Sequence, residues 1–354
     1  MREINLNAET KEIHIPIIFD SLESAQVEFT KAKQVLESCN AQLLCLEVFS
    51  ADWVKPAVEK FLNGSQAPVN WILPLDASVS PILASAHITA LRGSDVKYTS
   101  HNNAKAVLYS DGIIDYCRSF GITSGDANGD GYSAAKCNLQ TIKSLLEKCG
   151  YKFTDIARTW FYNFELLDWY AEFNKARTEF FEEAGIFKSL LPASTGIGAP
   201  NIDNAKMTSG FIAVKDSGGG KSWQISEAES PLQCGAPNYG SSFSRAVEIA
   251  TPSSRRIFVS GTASIEPMGA TVYQGDIEKQ VELTMQVIGA ILQSRNMSFK
   301  DTVKSVVYCA SPEYYRTFLK WTDKNGMIPH CPSFSTVCRH DLMFEVELDA
   351  AINL

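Results

Sequence analysis

The sequence predicts an α+β chain in which one αβ unit is written three times. The prediction rests on helical apolar stripes each followed by a short strand, on equal spacing between matched residues, and on a closing strand of strict alternation. In the last copy Val281, Met285, Ile288 and Leu292 recur at intervals of four, three and four, the mark of a helix with one buried stripe. A strand follows over 302–308, then a helix that starts at Pro312, runs through Trp321 and breaks at Gly326 ahead of Pro332. The middle copy has the same order: a helix with Leu139, Ile142 and Leu146 that stops at Gly150, a strand over 156–162, a helix over about 169–183, and Pro192 after Gly185. Asp155 matches Asp301 and Tyr162 matches Tyr308, both 146 residues apart, so one offset spans the strand (301 − 155 and 308 − 162). A fainter copy opens the chain, with Phe29, Ala32, Leu36 and Cys39 on a helix, a strand over 43–49, a short helix from Trp53, then Gly64 and Pro68.

Each unit is a small sheet covered by its helices on one face, so the bare face needs a neighbour and the chain is expected to close on itself as a single-chain pseudo-trimer. The expected organisation is a degenerate N-terminal unit plus connector over 1–104, a middle unit over 105–200, an inserted Gly/Ser/Pro-rich segment over 201–254, and a C-terminal unit over 255–354. Within the insertion, Phe211–Val214 and Ser222–Ile225, joined by glycines, read as a hairpin.

Composition narrows the function classes. With 45% hydrophobic and 20% charged residues, the 354-residue chain is that of a soluble globular protein. Its N-terminus has no apolar signal region and no window approaches a membrane span, so a cytoplasmic location is expected. Nine cysteines, without a Cys-x-x-Cys pair, and five histidines without metal-binding spacing support neither a disulfide framework nor a metal site. A net charge of −8 without a basic cluster disfavours nucleic acid and anionic membranes as partners, while a small anionic ligand needs only a few converging arginines. Two attractive motifs fail. Ser217–Ser222 lacks the first glycine of a phosphate loop, since that position is Lys215, and the calcium-loop start at Asp126 reaches Cys137 where a glutamate is required.

The closing strand carries the chemistry. From Phe344 to Leu348 apolar and acidic residues alternate, so Phe344, Val346 and Leu348 face a core and Glu345 and Glu347 share the opposite face, roughly 7 Å apart. If that face is closed to water, repulsion and desolvation raise one carboxyl towards the range of a general acid; if it is open, both are solvated glutamates. Arg158 stands in mid-strand between Ala157 and Thr159, where a charge fits a face that lines a cleft.

Six segments in order carry a resemblance: Arg158-Thr-Trp-Phe-Tyr162, Tyr170-x-x-Phe-Asn174-x-x-Arg177, Ala193-Ser-Thr195-Gly196-Ile-Gly198, Tyr239-Gly-Ser-Ser-Phe-Ser-Arg245, Ser260-Gly-Thr-Ala-Ser264 and Val337-Cys338-Arg339-x-x-Leu342-x-x-Glu345. Together they resemble the chorismatases, which are built of tandem YjgF/YER057c/UK114 (Rid)-like, chorismate-mutase-like αβ units and split chorismate into pyruvate and a cyclic carboxylic acid. The resemblance implies cofactor-independent general acid catalysis by Glu345 in a cleft of the last unit. It implies product choice, 3-hydroxybenzoate or a dihydrodiol, at Cys338, because a thiol there goes with the hydroxybenzoate-forming branch. It also implies substrate binding by Arg245, Arg158, Tyr239, Arg177, Thr195, Gly196 and Ala263. The Rid deaminase arginine, two residues after the proline of the penultimate strand, is replaced by Phe334 and Ser194, which disfavours that activity. Two alternatives stand beside the chorismatase reading: a non-catalytic Rid-like protein that binds or senses small carboxylates, and a related enzyme acting on another cyclic acid. A covalent pseudo-trimer has no need of further copies, so a monomer or weak dimer is expected.

Overall fold

The computed structural model describes residues 1–76, 83–124, 130–218, 220 and 222–354, with the side chain of Tyr239 outside the described residues. Residues 126–129 of the rejected calcium-loop motif, and Gly219 and Lys221 of the rejected phosphate loop, also lie outside them. The first sheet is made by β1 (Arg2–Asn5), β2 (Lys11–Phe19), β3 (Gln42–Phe49), β4 (Val69–Ile72) and β5 (Ala84–Arg92), covered by α1 (Leu22–Ser38) and α2 (Lys55–Leu62). The second is made by β6 (Lys97–His101), β7 (Ala104–Ser110), β8 (Ile114–Thr123), β9 (Ile156–Asn163), β10 (Ala193–Gly198) and β11 (Met207–Asp216), covered by α3 (Gly131–Lys148) and α4 (Leu166–Glu183). The third is made by β12 (Gln224–Ala228), β13 (Ala246–Ala250), β14 (Ser254–Ala263), β15 (Thr302–Cys309), β16 (Cys331–Phe334) and β17 (Phe344–Asn353), covered by α5 (Ile277–Gln293) and α6 (Pro312–Asn325).

The strand orders show the repeat directly. The second sheet runs β6-β7-β8-β11-β9-β10, the third β12-β13-β14-β17-β15-β16, and the first β1-β2-β5-β3-β4, one leading strand short. In each, the last two strands are parallel and the rest antiparallel, as a crossover through the second helix requires. The helices form where the periodicity places them. On α5, Val281, Met285, Ile288 and Leu292 are all buried, and the Asp276 side chain caps the start by accepting from the Lys279 N–H. On α3 the buried stripe holds Leu139, Ile142 and Leu146, and Gly150, at φ +78°, supplies the left-handed residue that ends it.

The segment 201–254 is divided between two sheets, and the hairpin expected there does not form. Phe211–Val214 belong to β11, which pairs with β8 and β9 as the closing strand of the second sheet, and Gln224–Ala228 pair with β13 in the third. The physical reason is the repeat: β11 stands where β17 stands in the last unit, so both its edges are already taken. The glycine-containing stretch carries the chain from one unit to the next.

The bare faces of the three sheets meet in one core, where Phe49, Trp160, Tyr162, Phe258 and Tyr308 pack together with Val107 and Val306. The repeat-equivalent tyrosines Tyr162 and Tyr308 join hydroxyl to hydroxyl at 2.9 Å, and Phe49 of the first unit lies 6.5 Å from the Tyr162 ring. Charges lie in the same interior, and each is answered by a residue of another unit. Glu12 of β2 accepts from Arg118 of β8 at 2.9 Å and from Arg256 of β14 at 3.1 Å, with His14 at 2.9 Å. Burial alone raises Glu12, yet Arg118 and Arg256 override it and hold the carboxyl well below its ordinary value.

Close approach between units depends on one glycine in particular. A Cβ on Gly121, at φ +70°, falls 2.2 Å from the Val69 carbonyl oxygen of the first unit. Gly121→Ala therefore combines left-handed strain with a backbone clash, and we expect a loss of about 2–4 kcal/mol in unfolding free energy, measured by denaturant titration.

Candidate active site

On β17, Phe344, Val346 and Leu348 pack beneath the helices of the last unit, as the alternation predicts. The opposite face is closed rather than solvated: Glu345 is 4% exposed and Glu347 2%. It is closed because β10 of the middle unit docks on β14. The Ser194 N–H donates to Ser260 Oγ at 2.8 Å and the Gly261 N–H donates to Thr195 Oγ1 at 3.1 Å. A side chain at Gly261 would displace the Glu345 carboxyl, since an added Cβ would lie 2.0 Å from its Oε1.

Glu345 opens into a cavity of about 340 Å³ whose walls come from two units. The middle unit supplies Tyr170, Asn174 and Arg177 from α4 and Gly196 from β10; the last supplies Arg245, Ala263, Cys338 and Arg339. The expected cleft within the last unit is thus corrected to a cleft between the middle and last units. The site needs the bare face of one sheet and the strand edge of its neighbour.

Three guanidinium groups converge on this cavity. Arg177 donates to Asn174 Oδ1 at 2.7 Å and lies over the Phe173 ring at 4.9 Å, which fixes it on the helix face turned inward. Arg245 donates from Nε to the Cys234 carbonyl at 2.9 Å and flanks the Phe243 ring at 5.7 Å. Arg339 donates to the Gly269 carbonyl at 2.8 Å. Arg339 was not among the residues expected from sequence, nor were Tyr170 and Asn174. All three stand inside the quoted segments, where spacing alone does not separate a lining residue from its neighbours.

Arg158 is the main correction among the predicted residues. It is 0% exposed and lies behind the cavity, donating from Nη2 to Glu347 Oε2 at 2.9 Å and to Thr195 Oγ1 at 2.6 Å. A mid-strand charge is explained here by an ionic partner on the neighbouring unit. Thr195 shares this position, bridging Arg158 to the Gly261 N–H. Gly196, Arg177, Arg245, Ala263, Cys338 and Glu345 do line the cavity. Tyr239 ends a short 3-10 turn over Ala236–Tyr239, and its side chain is outside the described residues.

The electrostatics divide the two glutamates. Burial and the Glu347 charge raise Glu345, Arg158 and Arg245 oppose them, and the carboxyl is left at about 8, hence largely protonated at neutral pH. Burial and the neighbouring Glu345 push the Cys338 thiol up to about 12, so it stands in the cavity as a neutral thiol and not as a nucleophile. Burial likewise raises Tyr170. Among the described residues no group of three His, Cys, Asp or Glu side chains is placed to hold a metal ion, and no helix is long and apolar enough to cross a membrane. A neutral carboxylic acid facing three guanidiniums can bind an anion and give it a proton.

A solved chorismatase crystal structure superposes with a TM-score of 0.63 at 20% sequence identity, covering 87% of this chain and 92% of that one. The fold is that of the chorismatases. Sequence relationship runs the same way: a chorismatase from Streptomyces hygroscopicus is 28% identical over 193 residues, 50% of this chain and 52% of the relative. A 3-hydroxybenzoate synthase from the same organism is 28% identical over 184 residues, 47% of this chain and 50% of that one. The chain thus spans about half the length of the curated relatives it matches. Residues 235–352 match the family model described as Endoribonuclease L-PSP, which covers the third sheet from β13 to β17 with its two helices.

A raised carboxyl carries a stability signature. The folded protein keeps a proton on Glu345 between its ordinary value of 4.5 and about 8, whereas the unfolded chain releases it. This contribution to stability is complete below 4.5 and is lost as pH rises through 8. We expect the unfolding free energy of the native protein, relative to Glu345→Gln, to fall across that window, measured by chemical denaturation at a series of pH values.

Proposed function

We propose that this chain is a chorismatase-type enzyme that cleaves chorismate with release of pyruvate by general acid catalysis from Glu345. The observation that carries the reading is a buried, protonated carboxyl in the same cavity as three arginines. Chorismate is a dianion bearing an enol ether, and these two features need the two kinds of group found here. Two carboxylates call for donors that do not deprotonate, which Arg177, Arg245 and Arg339 provide. The enol ether calls for an acid that is still protonated at neutral pH. The names of the sequence relatives agree with this assignment. A cavity of about 340 Å³ is of the size that small-molecule sites use.

In this mechanism Glu345 gives its proton to the terminal methylene of the enolpyruvyl group. The oxocarbenium ion that results forms beside the newly ionised Glu345, in a setting of low polarity where the opposite charges attract strongly. Capture of the cation by water gives pyruvate and a dihydrodiol. Capture by the ring hydroxyl, with later loss of a ring proton, gives pyruvate and 3-hydroxybenzoate with no net water consumed. Cys338 borders the acid with a small, weakly polar group that keeps water from that position, and we assign it the choice between the two outcomes in favour of the hydroxybenzoate. The reading needs no cofactor, and it treats the protein as a monomer or weak dimer because the cleft is complete within one chain.

Incubation with chorismate, with pyruvate followed through a lactate dehydrogenase couple, tests the assignment. We expect release by the native protein and a fall in kcat of at least about 100-fold in Glu345→Gln. Absence of pyruvate from the native protein, with chorismate still raising its melting temperature, would replace the enzyme by a binding protein. The kcat/KM of the native protein should be level below pH 8 and fall about tenfold per unit above it, as Glu345 ionises. Chromatography of the ring product should show Cys338→Ala shifting output from hydroxybenzoate towards dihydrodiol, without loss of pyruvate.

A further inference from the structure

Among the described residues the first unit contributes none to the cavity, yet one of its carboxylates is tied to the acid through buried charges. Glu347, two residues beyond Glu345, accepts from Arg158 Nη2 at 2.9 Å and from Trp160 Nε1 at 2.9 Å, both on β9 of the middle unit. Lys304 of β15 lies 4.8 Å from the centroid of the same Trp160 ring. Its ammonium stands 3.9 Å from Glu347 Oε1, a loose contact, and 2.5 Å from Glu47 Oε2, a tight one. Glu47 is on β3 of the first unit, and its second oxygen has no hydrogen-bond partner, so Lys304 is its principal ligand. All four groups are buried; burial and the Glu347 charge raise the Glu47 carboxyl, and the Lys304 ammonium beside it opposes them and favours its ionised form.

We propose that Glu47 is a remote positioning residue for the acid: by engaging Lys304 it keeps that cation from neutralising Glu347, whose charge then faces Glu345. The inference rests on the assignment of Glu345 as the acid. Removing the Glu47 charge leaves one cation in excess behind Glu345 and frees Lys304 to close on Glu347. Both changes favour ionised Glu345 and weaken it as an acid near neutral pH.

The other groups facing this column have different partners or no charge. The Tyr162 and Tyr308 hydroxyls donate and accept between themselves, and burial raises both. Asp349 lies with Arg256 at 3.6 Å, and Arg118 is held by Glu12. Burial keeps His87 neutral by lowering it well below its ordinary value, and it keeps Cys45 a thiol. On the cavity side Glu345 faces Arg245 and Cys338, which this substitution leaves in place.

The test is the pH dependence of kcat/KM, with an infrared measurement of the protonated Glu345 carboxyl, taken as native minus Glu345→Gln, as a readout free of turnover. Glu47→Gln should move both the kinetic limb and the infrared titration acidward by roughly half a unit to one unit, and Glu347→Gln further. Glu47→Asp, which restores the charge, should return them towards the native position. So should Glu47→Gln combined with Lys304→Met, which removes the ion pair as a unit and leaves the Glu347 charge in place. A Glu47→Gln protein that titrates with the native one overturns the proposal. If Glu47→Gln does not fold, the double variant decides alone: an unmoved limb supports the role and an acidward limb overturns it. Retained activity in Glu345→Gln would instead overturn the acid assignment, which separates the two failures.

Discussion

Compensation of buried charge between units is the constraint on which this structure depends. The three sheets turn charged side chains towards a shared dry interior, where a lone ion is prohibitively costly and a pair holds only with good geometry. Much of this charge finds its near partner only in another unit. Glu12 and Glu47 of the first unit take Arg118, Arg256 and Lys304 from the other two, and Glu347 of the last takes Arg158 from the middle. The bare sheet faces therefore fit one another in one arrangement. A neighbour slipped by one residue along a strand would face a charge with an apolar side chain.

The active site grows out of the same constraint. Arg158 and Lys304 occupy matched positions on β9 and β15, at the offset that also relates Tyr162 to Tyr308 (304 − 158 and 308 − 162 are both 146). One binds Glu347 closely and the other binds Glu47. Glu345, the next inward acid on β17, is placed in the same enclosed layer, and among the described residues no cation stands at salt-bridge distance from it. Burial and the Glu347 charge raise its carboxyl to about 8 against the pull of Arg158 and Arg245. Glu345 is the residue that the charge-pairing scheme leaves over.

Sequence revealed the repeat because helix stripes and strand offsets are local signals, and Val281, Met285, Ile288 and Leu292 or the paired tyrosines express them without a neighbour. The ordered segments also picked out Glu345, Cys338, Arg177 and Arg245, which the fold brings to one cavity. Sequence misread Arg158, whose mid-strand charge suits a ligand and a buried partner equally, and the partner, Glu347, is 189 residues away. The hairpin over 211–225 failed for a similar reason: alternation and glycines are local, whereas the choice of β8 and β9 as partners for β11 is made by the sheet. Arg339 shows the last limit, since a residue adjacent to a recognised thiol can point into a cavity or away from it, and only the fold decides.

The register of the closing strands bears on how often the chain can work. Glu345 faces Ala263 across the ladder from β14, and Thr208 faces Thr123 at the matching place on β11, so the middle unit bears a hydroxyl where the last bears the acid. At that junction an added Cβ on Gly121 would fall 2.2 Å from the Val69 carbonyl oxygen. A ring of three identical subunits must repeat whatever it builds at every junction. Joined in one chain, the junctions are free to differ, and a threonine at one stands where a glutamate stands at the next.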